Sequence, residues 1–382
     1  MKPSLISTMK QRQLTIFSTW VVTFYILFYC ELIFKHEIND LAINDQGENS
    51  SKYKILCSST ALIRSWGSYR ARCIQFKSWL NTSRCAPSVN IVMGELPTSD
   101  LSIQYNATMY VKAIPPDQAN LGKTFVDVVD NYDISGRSIP RDFEVIVQGL
   151  IHGTERFPNH IVHAIEHWYS SYPLDMTNNV PEYVPEIGEK DILQVGIVCL
   201  GCTMPANFNH QLLGSVNMVM IDEGKEGGIE QWFLKYTSED GWTKEKMNKM
   251  IQDPRYGKER LYTAVFHMFD VLIVNPKRSR DKFRYGSIQR ITSQMRSGTP
   301  ILVDAEGWAF TSFVEYYNYS CVYSENRYSS YPTLERALMH MKDADYRKKC
   351  QKEGLKISSH FSPNVMGKKL LRVLGYEGRF YC

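Results

Sequence analysis

Short apolar runs alternate with amphipathic segments from residue 53 almost to the end of the chain. The predicted strands are Tyr53–Cys57, Asn90–Met93, Thr108–Ile114, Phe125–Asp130, Phe143–Val147, Leu193–Leu200, Val216–Asp222, Phe269–Asn275, Thr299–Asp304 and Cys321–Tyr323. The predicted helices are Ser68–Leu80, His160–Tyr169, Ser287–Arg296, Ala309–Tyr317, Thr333–Lys342, Asp345–Lys356 and Pro363–Leu374. Strands that alternate with helices in this way predict an α/β fold with doubly wound sheets.

A polar stretch divides this alternation into two blocks. Residues Asn178–Asp191 carry two prolines, a glycine and several charges, which is typical of a domain boundary. We therefore predict two doubly wound domains, 53–178 and 190–376, with residues 224–260 as an irregular surface insertion. Ligands of such sheets bind beyond the carboxyl ends of the strands, so a cleft between the two domains is the expected substrate site.

The N-terminal segment is the most hydrophobic part of the chain. Leu14–Cys30 runs for 17 residues without a charge, which is about the minimum for a helix that crosses the bilayer. Basic residues precede the run and mostly acidic residues follow it, so the positive-inside rule keeps the N-terminus in the cytosol. We predict a cytosolic tail (1–13), a transmembrane signal anchor (14–34) and a stem (35–52), in a single-pass type II protein of the Golgi or ER membrane.

A cleaved signal peptide is the alternative for this segment. Its cleavage site requires small residues, whereas bulky side chains follow the apolar run here. Both interpretations place the body of the protein in the lumen or outside the cell.

Charge and cysteine content narrow the class of protein. The chain has 44 Lys and Arg against 40 Asp and Glu, without the basic excess of a general nucleic-acid binder, so no nucleic-acid partner is expected. Eight cysteines follow the apolar run and permit up to four disulfides in an oxidising lumen, with the pairing left open. Four N-glycosylation sequons also follow it, and their acceptor residues are Asn49, Asn81, Asn106 and Asn318.

Residues 270–374 contain short phrases in a fixed layout. A strand, a loop and a helix lead to Ser297-Gly298-Thr299-Pro300, and the closing helices contain His360-Phe361-Ser362-Pro363. This stretch resembles the donor-binding half of GT-B glycosyltransferases. The resemblance implies two Rossmann-like domains, a nucleotide-sugar co-substrate and a glycan or glycoprotein acceptor, with no bound metal and no further cofactor.

The start of the helix near residue 287 is a predicted binding site for the donor diphosphate. Free backbone N–H groups and the positive end of the helix dipole meet at Gly286 and Ser287. Lys282, Arg284 and Arg290 are near enough in sequence to add charge-assisted contacts, although exposed basic residues commonly only solvate a surface.

Two acidic residues complete the predicted donor site through the resemblance. Glu306 lies in the loop where a GT-B donor sugar would lie, and Glu315 resembles the acidic residue that meets the nucleotide ribose. The acidic residue that the family usually has ahead of the Gly-x-Pro helix is missing, because Ser287–Gln289 occupy its place. A standard retaining mechanism is therefore in doubt.

The loop after the first strand is the predicted acceptor-binding segment. Ser68, Arg70 and Arg72 follow that strand and face the expected cleft. Ser68 serves equally well as the N-cap of the helix that begins there.

The candidate base lies farther along the first block. An inverting transferase needs a group that takes the acceptor proton, and His152 beyond the strand Phe143–Val147 is the predicted residue. Asp130, with Asp127 and Asp133 beside it, is predicted to help place the acceptor hydroxyl, or else to serve as a turn residue.

Two patterns typical of metal binding are present, but neither predicts a metal site. His160, His163 and His167 are spaced to share one face of the predicted helix, but no HExxH pattern accompanies them. Asp343-Ala-Asp345 matches the DxD signature of GT-A glycosyltransferases, yet it lies among basic residues between helices and is interpreted as surface.

These observations favour a glycosyltransferase of the secretory pathway that is hexosyltransferase-like and metal-independent. One rival is a lumenal sulfotransferase, for which Ser58-Ser-Thr60 followed by Arg64 is a weak phosphate loop. The other is a non-catalytic GT-B-like binding protein.

Overall fold

The structure is a computed structural model, and it describes fifteen segments of the chain between residues 52 and 381. They are residues 52–59, 69–83, 85–93, 105–114, 122–128, 139–147, 157–168, 184–199, 214–222, 228–237, 241–252, 259–274, 288–305, 308–324 and 333–381. The predicted tail and transmembrane anchor lie outside them. No helix within the described part of the chain has the length and apolar character that a membrane span requires.

Six parallel strands form the first sheet. They are β1 (Tyr53–Ser58), β2 (Val89–Met93), β3 (Ala107–Val111), β4 (Lys123–Asp127), β5 (Glu144–Val147) and β6 (Val162–Ala164). Their order in the sheet is β2-β1-β3-β4-β5-β6, and every pairing is parallel.

Five parallel strands form the second sheet. They are β7 (Leu193–Cys199), β8 (Val216–Asp222), β9 (Val271–Val274), β10 (Ile301–Asp304) and β11 (Val322–Tyr323). Their order is β8-β7-β9-β10-β11, again with parallel pairings only. The chain therefore has an α/β fold with parallel sheets, as the sequence predicts.

In both sheets the order in which the chain adds strands reverses at the same relative position, although all strands stay parallel. In the first sheet the chain goes from β1 outward to β2 and then back to β3, and in the second it goes from β7 to β8 and back to β9. The carboxyl ends of β1 and β3, and of β7 and β9, therefore flank the topological switch points where such sheets bind ligands.

A π-helix and nine α-helices are described between and after these strands. The π-helix, Arg70–Gln75, continues directly into α1 (Phe76–Ser83). The other helices are α2 (Gly228–Thr237), α3 (Lys244–Ile251), α4 (Glu259–Phe266), α5 (Gln289–Ser297), α6 (Trp308–Tyr317), α7 (Leu334–Met341), α8 (Ala344–Ser359) and α9 (Pro363–Val373).

The core is built on the central strands. All four residues of β9 and all four of β10 are buried, as expected for parallel strands covered by helices on both faces. Two disulfides attach helices to sheets: Cys57–Cys73 joins β1 to the π-helix, and Cys321–Cys350 joins the start of β11 to α8.

Two predictions about secondary structure are wrong. The helix predicted over residues 160–169 is wrong, because Val162–Ala164 form β6 at the edge of the first sheet and residues 165–168 have no regular secondary structure. The prediction that residues 224–260 are irregular is wrong for the part that the structure describes, which contains α2, α3 and the start of α4. Charged residues such as Lys244, Glu245, Lys246 and Lys249 are exposed on α3, whereas Met247 on the same helix is buried.

The end of the chain returns to the first sheet. Helix α9 packs on α1, where Gly367 lies against the indole of Trp79. The Tyr53 hydroxyl, at the start of β1, donates to the carbonyl of Leu374 at 2.7 Å. The last helix is therefore attached to the first sheet, although it follows the second sheet in the sequence.

Candidate functional site

Buried polar side chains gather at the carboxyl edge of the first sheet. Arg72 lies in the π-helix that follows β1, Lys112 follows β3, and Asp127 ends β4. Glu166 and His167 come just after β6. All five residues are at most 8% exposed, so this edge is polar and largely shielded from water.

Arg72 is the centre of this cluster. Its Nε donates to Asp127 Oδ2 at 2.5 Å, and both side chains are completely buried. Its Nη1 and Nη2 donate to the carbonyl oxygens of Glu166 at 3.2 Å and Ile165 at 2.5 Å. The planar guanidinium fork therefore joins β4 to the segment that leaves β6.

Lys112 follows β3 in a left-handed conformation, with φ of 62°. Its backbone N–H donates to the carbonyl of Asp127 at 2.8 Å. Non-glycine residues seldom adopt this conformation, and backbone outliers of this kind cluster at functional sites. The position therefore supports the carboxyl edge as the candidate site.

His167 has a defined tautomer. Gln289 Nε2 donates to the carbonyl of Trp168 at 3.4 Å, which leaves Gln289 Oε1 as the acceptor facing His167 Nδ1 at the same distance. Nδ1 therefore carries the hydrogen, and the buried Nε2 presents a lone pair that has no hydrogen-bond partner among the described residues.

The surroundings of His167 keep its ring neutral. Burial is the largest of the effects that hold the pKa of His167 well below its usual value. The positive charges of Arg72 and Lys112 act in the same direction. The hydrogen bond with Gln289 opposes them only in part. A neutral imidazole with a free Nε2 can accept a hydrogen bond from a hydroxyl group.

An electrostatic interaction between Glu166 and Tyr317 connects this edge of the sheet to α6. Burial, together with Tyr316 and Glu166, raises the pKa of Tyr317 to about 12. The Tyr317 ring packs on His360, with centroids 5.8 Å apart. Its phenol therefore stays protonated at neutral pH and keeps its hydrogen-bond donor.

The carboxyl edges of the two sheets face each other. His167 follows β6 of the first sheet, whereas Gln289 is the first residue of α5, the helix after β9 of the second. The pair Arg70–Glu259, at 3.0 Å, likewise joins the π-helix after β1 to the start of α4. Burial raises the pKa of Glu259 although Arg70 acts against it.

The predicted donor residues fall only partly in the described segments. Helix α5 begins at Gln289, whose side chain contacts His167, and the next residue, Arg290, is half-buried in the first turn. Glu315 is exposed in the last turns of α6. The remaining predicted donor residues lie outside the described residues: Lys282, Arg284, Gly286, Ser287 and Glu306.

The predicted acceptor and catalytic residues divide in the same way. Arg70 and Arg72 lie together on one helix, but each is engaged by a protein carboxylate, Glu259 and Asp127 respectively. Ser68, Asp130 and His152 lie outside the described residues, so their roles stay predictions.

The other motifs have structural explanations where the structure describes them. His163 lies on β6 and meets Glu144 at 2.5 Å, so the three histidines do not share a helical face. The described residues contain no cluster of three or more His, Cys, Asp or Glu side chains able to hold a metal. Asp343 is the N-cap of α8, and Asp345 lies in its exposed first turn.

Three of the four predicted glycosylation acceptors are described. Asn81, Asn106 and Asn318 are exposed, and Asn49 lies outside the described residues. Exposure is what an attached glycan requires, so their modification stays a prediction that the structure allows.

Sequence reasoning missed the importance of Glu166, His167, Lys112 and Gln289. The available signal was a pair of polar residues, Glu166-His167, set between the apolar Ile165 and Trp168 shortly after the β-branched pair Ile161-Val162. The helix predicted over residues 160–169 hides this signal, because it gives Glu166 and His167 no place beyond the carboxyl end of a strand, where ligands of such sheets bind.

Comparisons with known proteins give similarity to solved glycosyltransferase structures. No protein-family model matches the chain, and no curated protein sequence does. A glycosyltransferase from Rickettsia africae is 12% identical over 85% of this chain and 98% of its own, with a TM-score of 0.45. WaaG, a glycosyltransferase involved in lipopolysaccharide biosynthesis, is 10% identical over 85% and 100%, with a TM-score of 0.43.

A third similar structure is trehalose-6-phosphate from E. coli bound with UDP-2-fluoro glucose. It is 8% identical over 85% of this chain and 100% of its own, with a TM-score of 0.46.

Proposed function

We propose that the chain is a GT-B glycosyltransferase that moves a sugar from a nucleotide sugar to a glycan or glycoprotein acceptor. One observation carries the proposal: two parallel sheets with the same switch-point order turn their carboxyl edges toward each other, through His167–Gln289 and Arg70–Glu259. Such edges are where doubly wound sheets bind nucleotides. The sequence resemblance of residues 270–374 supports the same assignment.

In this proposal the second sheet binds the donor. The N-terminus of α5, with Gly286, Ser287 and Arg290, holds the diphosphate, and Lys282 and Arg284 add positive charge. Stabilising the negative charge that develops on the leaving diphosphate is the main catalytic effect, and it requires no metal. Glu306 and Glu315 contact the donor sugar and the ribose.

The first sheet then binds the acceptor. His152 takes the proton of the attacking hydroxyl, Asp130 helps to place that hydroxyl, and Ser68 and Arg70 contact the acceptor. His167 adds a neutral acceptor of a hydrogen bond, because its Nε2 has no partner among the described residues at this edge.

We further propose that this body lies in the lumen of the Golgi or ER, anchored by residues 14–34. Two buried disulfides support an oxidising compartment, and the exposed Asn81, Asn106 and Asn318 support exposure to the glycosylation machinery. Treating the full-length protein from secretory-pathway membranes with an N-glycosidase tests this. We expect a loss of mass that Asn→Gln changes at the used sequons abolish, and an unchanged mass contradicts a lumenal body.

Nucleotide binding by the full-length protein tests the activity. We expect UDP or GDP to bind, and the corresponding nucleotide sugar to be hydrolysed slowly without acceptor. Arg290→Ala removes a charge-assisted contact and should weaken nucleotide binding about 10- to 100-fold. Lys356→Ala, an exposed lysine on α8, serves as the matched control with unchanged affinity.

The alternatives give different results in the same assay. Binding of adenosine 3′,5′-bisphosphate instead of UDP or GDP identifies a sulfotransferase. Absence of binding to all three nucleotides identifies a non-catalytic protein. Binding that Arg290→Ala leaves unchanged removes Arg290 from the donor site.

A further inference from the structure

We infer that Arg72 is a positioning residue that fixes Glu166 and His167 at the candidate site, and that it is not a contact for the acceptor. The inference rests on the proposed function for its catalytic consequence. The geometry that supports it is independent of that function.

The segment that carries Glu166 and His167 needs support from outside itself. The last described backbone hydrogen bond that ties it to the sheet runs from Ile165 N–H to the carbonyl of Val147, at 3.0 Å. Residues 165–168 have no regular secondary structure. A side chain that binds this backbone directly therefore helps to set where Glu166 and His167 point, together with Gln289, which binds His167 and the Trp168 carbonyl.

Arg72 provides that support through two consecutive peptide groups. Its Nη2 binds the carbonyl of Ile165 and its Nη1 binds the carbonyl of Glu166. Fixing both carbonyls sets the two peptide planes on either side of the Glu166 Cα, and thereby the direction in which its side chain leaves the backbone. The next residue, His167, inherits the same constraint.

The same helix holds the segment at a second point. Trp168 Nε1 donates to Gln75 Oε1 at 2.8 Å, and the Arg72 guanidinium lies 6.0 Å from the centroid of the Trp168 ring. The disulfide Cys57–Cys73 attaches this helix to β1. The π-helix therefore acts as a fixed support for residues 165–168.

Arg72 itself has no surface to offer to a substrate. Its side chain is completely buried, its Nε is engaged by Asp127, and both terminal nitrogens are engaged by carbonyls. An acceptor sugar could reach its N–H groups only by displacing these partners. The charge of Arg72 serves to hold its neighbours, which is a different role from the acceptor contact that the sequence predicts.

Arg72→Lys tests this role in the full-length protein. Lysine keeps the positive charge beside Asp127 but lacks the planar fork that reaches two carbonyls at once. Arg347→Lys is the matched control, because Arg347 is equally buried and donates to the carbonyls of Met341, Lys342 and Gly188, away from residues 165–168.

Two readouts separate positioning from a general loss of stability. In hydrogen exchange, Arg72→Lys should speed exchange of the amides of residues 166–168 at least tenfold, and Arg347→Lys should not. In turnover of the nucleotide sugar, Arg72→Lys should lower kcat at least tenfold while the Kd for the nucleoside diphosphate changes less than twofold.

Each outcome has a defined meaning. Equal exchange and equal kcat in the two variants overturn the inference. If Arg72→Lys does not fold, the double variant Arg72→Gln with Asp127→Asn replaces it, because it removes the guanidinium fork and its buried counter-charge together, and unchanged exchange there also overturns the inference. If the wild-type protein turns over no nucleotide sugar, the proposed function fails, while the exchange data still decide whether Arg72 holds the segment.

Discussion

A histidine in the interior of a protein loses more hydration in its charged form than in its neutral form. His167 is 2% exposed, with Arg72 and Lys112 as nearby positive charges. All three effects favour the neutral ring, and the orientation of Gln289 selects the tautomer with hydrogen on Nδ1. The protonation state of this one side chain is thus fixed by its neighbours.

This state predicts how stability depends on pH. The unfolded chain protonates His167 near its ordinary pKa of 6.5, whereas the folded chain resists protonation until a much lower pH. The contribution of the neutral ring is therefore complete above pH 6.5 and is lost as the pH falls, by at most about 1.4 kcal/mol per pH unit.

The substitution His167→Asn isolates this contribution, because asparagine can keep a donor near the Nδ1 position but does not titrate. We expect the free energy of unfolding to fall less between pH 7 and pH 5 in the variant than in the wild type, as measured by urea denaturation. Other groups titrate alike in both proteins. One is Glu144, for which partial burial raises the pKa but hydrogen bonds and charges from Lys123 and His163 lower it further, so that the net shift is downward. Identical pH dependence would contradict the assignment of a neutral buried His167.

At the scale of secondary structure, the strands were the most predictable elements. Each predicted strand overlaps an observed one, because buried parallel strands are continuous apolar runs such as Val271–Val274 and Ile301–Asp304. The strand β6 escaped prediction because it has only three residues, too few to show a period of two. Its pairing with β5, and not its own sequence pattern, makes it a strand.

The helices α2, α3 and α4 show why residues 224–260 were misjudged. Their buried positions, such as Ile229 and Phe233 in α2, have the helical spacing of four, but charged residues surround them. A high content of charge is also typical of a surface loop, which is what the sequence pattern of residues 224–260 predicts. In α3 the charges Lys244, Glu245, Lys246 and Lys249 lie on the solvent-facing side of an amphipathic helix.

The end of α5 gives a test at the same scale. Gly298 terminates this helix with φ of 80°, and a Cβ there would lie 3.2 Å from both Pro185 Cδ and Val184 Cγ1. An alanine in a left-handed conformation costs about 1–2 kcal/mol through its backbone alone. Gly298→Ala should therefore reduce the free energy of unfolding by more than this amount.

Two other glycines serve as controls in chemical denaturation. Gly241 has φ of 74° but nothing within 4 Å of its Cβ position, so Gly241→Ala should show the backbone effect alone. Gly188 has neither constraint, and Gly188→Ala should be neutral. A Gly298→Ala effect no larger than that of Gly241→Ala would show that the packing against Val184 and Pro185 is unimportant.

At the scale of the whole molecule, the candidate site depends on contacts that no local pattern reveals. Arg72 and Asp127 are 55 residues apart, and His167 and Gln289 are 122 apart. The sequence identifies most strand ends and the acidic or basic residues near them. It does not say which strand ends are neighbours across the sheets. The sequence therefore places Arg72 at the correct edge of the first sheet, but predicts an acceptor contact where the structure has a buried residue that holds its neighbours.

The return of α9 to the first sheet makes the two ends of the compact unit Tyr53–Cys382 depend on each other. Gly367 of α9 faces Trp79 of α1, and a Cβ at this position would lie 2.7 Å from the indole Cζ3. Gly354 of α8 is also helical, but the nearest atoms to a Cβ there belong to the flexible Met295 side chain, with Cγ at 3.2 Å. The two glycines thus differ mainly in the rigidity of their neighbours.

Replacing each with alanine therefore separates packing from helix propensity. In both helices alanine has a higher helix propensity than glycine, which stabilises each variant by about 1 kcal/mol. Gly367→Ala must also displace α9 from a rigid indole, and overpacking of this kind opposes that gain by about 1–3 kcal/mol. We expect Gly354→Ala to be neutral or stabilising and Gly367→Ala to be less stable than it, as measured by urea denaturation followed by circular dichroism.

The distribution of the effect is the decisive part of this comparison. If α9 holds the first sheet in place, Gly367→Ala should speed hydrogen exchange in β1 and β2 as well as in α9, because Tyr53 and Ser88 bind Leu374 and Tyr376 at the end of the chain. Gly354→Ala should leave β1 and β2 unchanged. Faster exchange confined to α9 would mean that the first sheet is stable without the returning helix, and the chain ends would then not depend on each other.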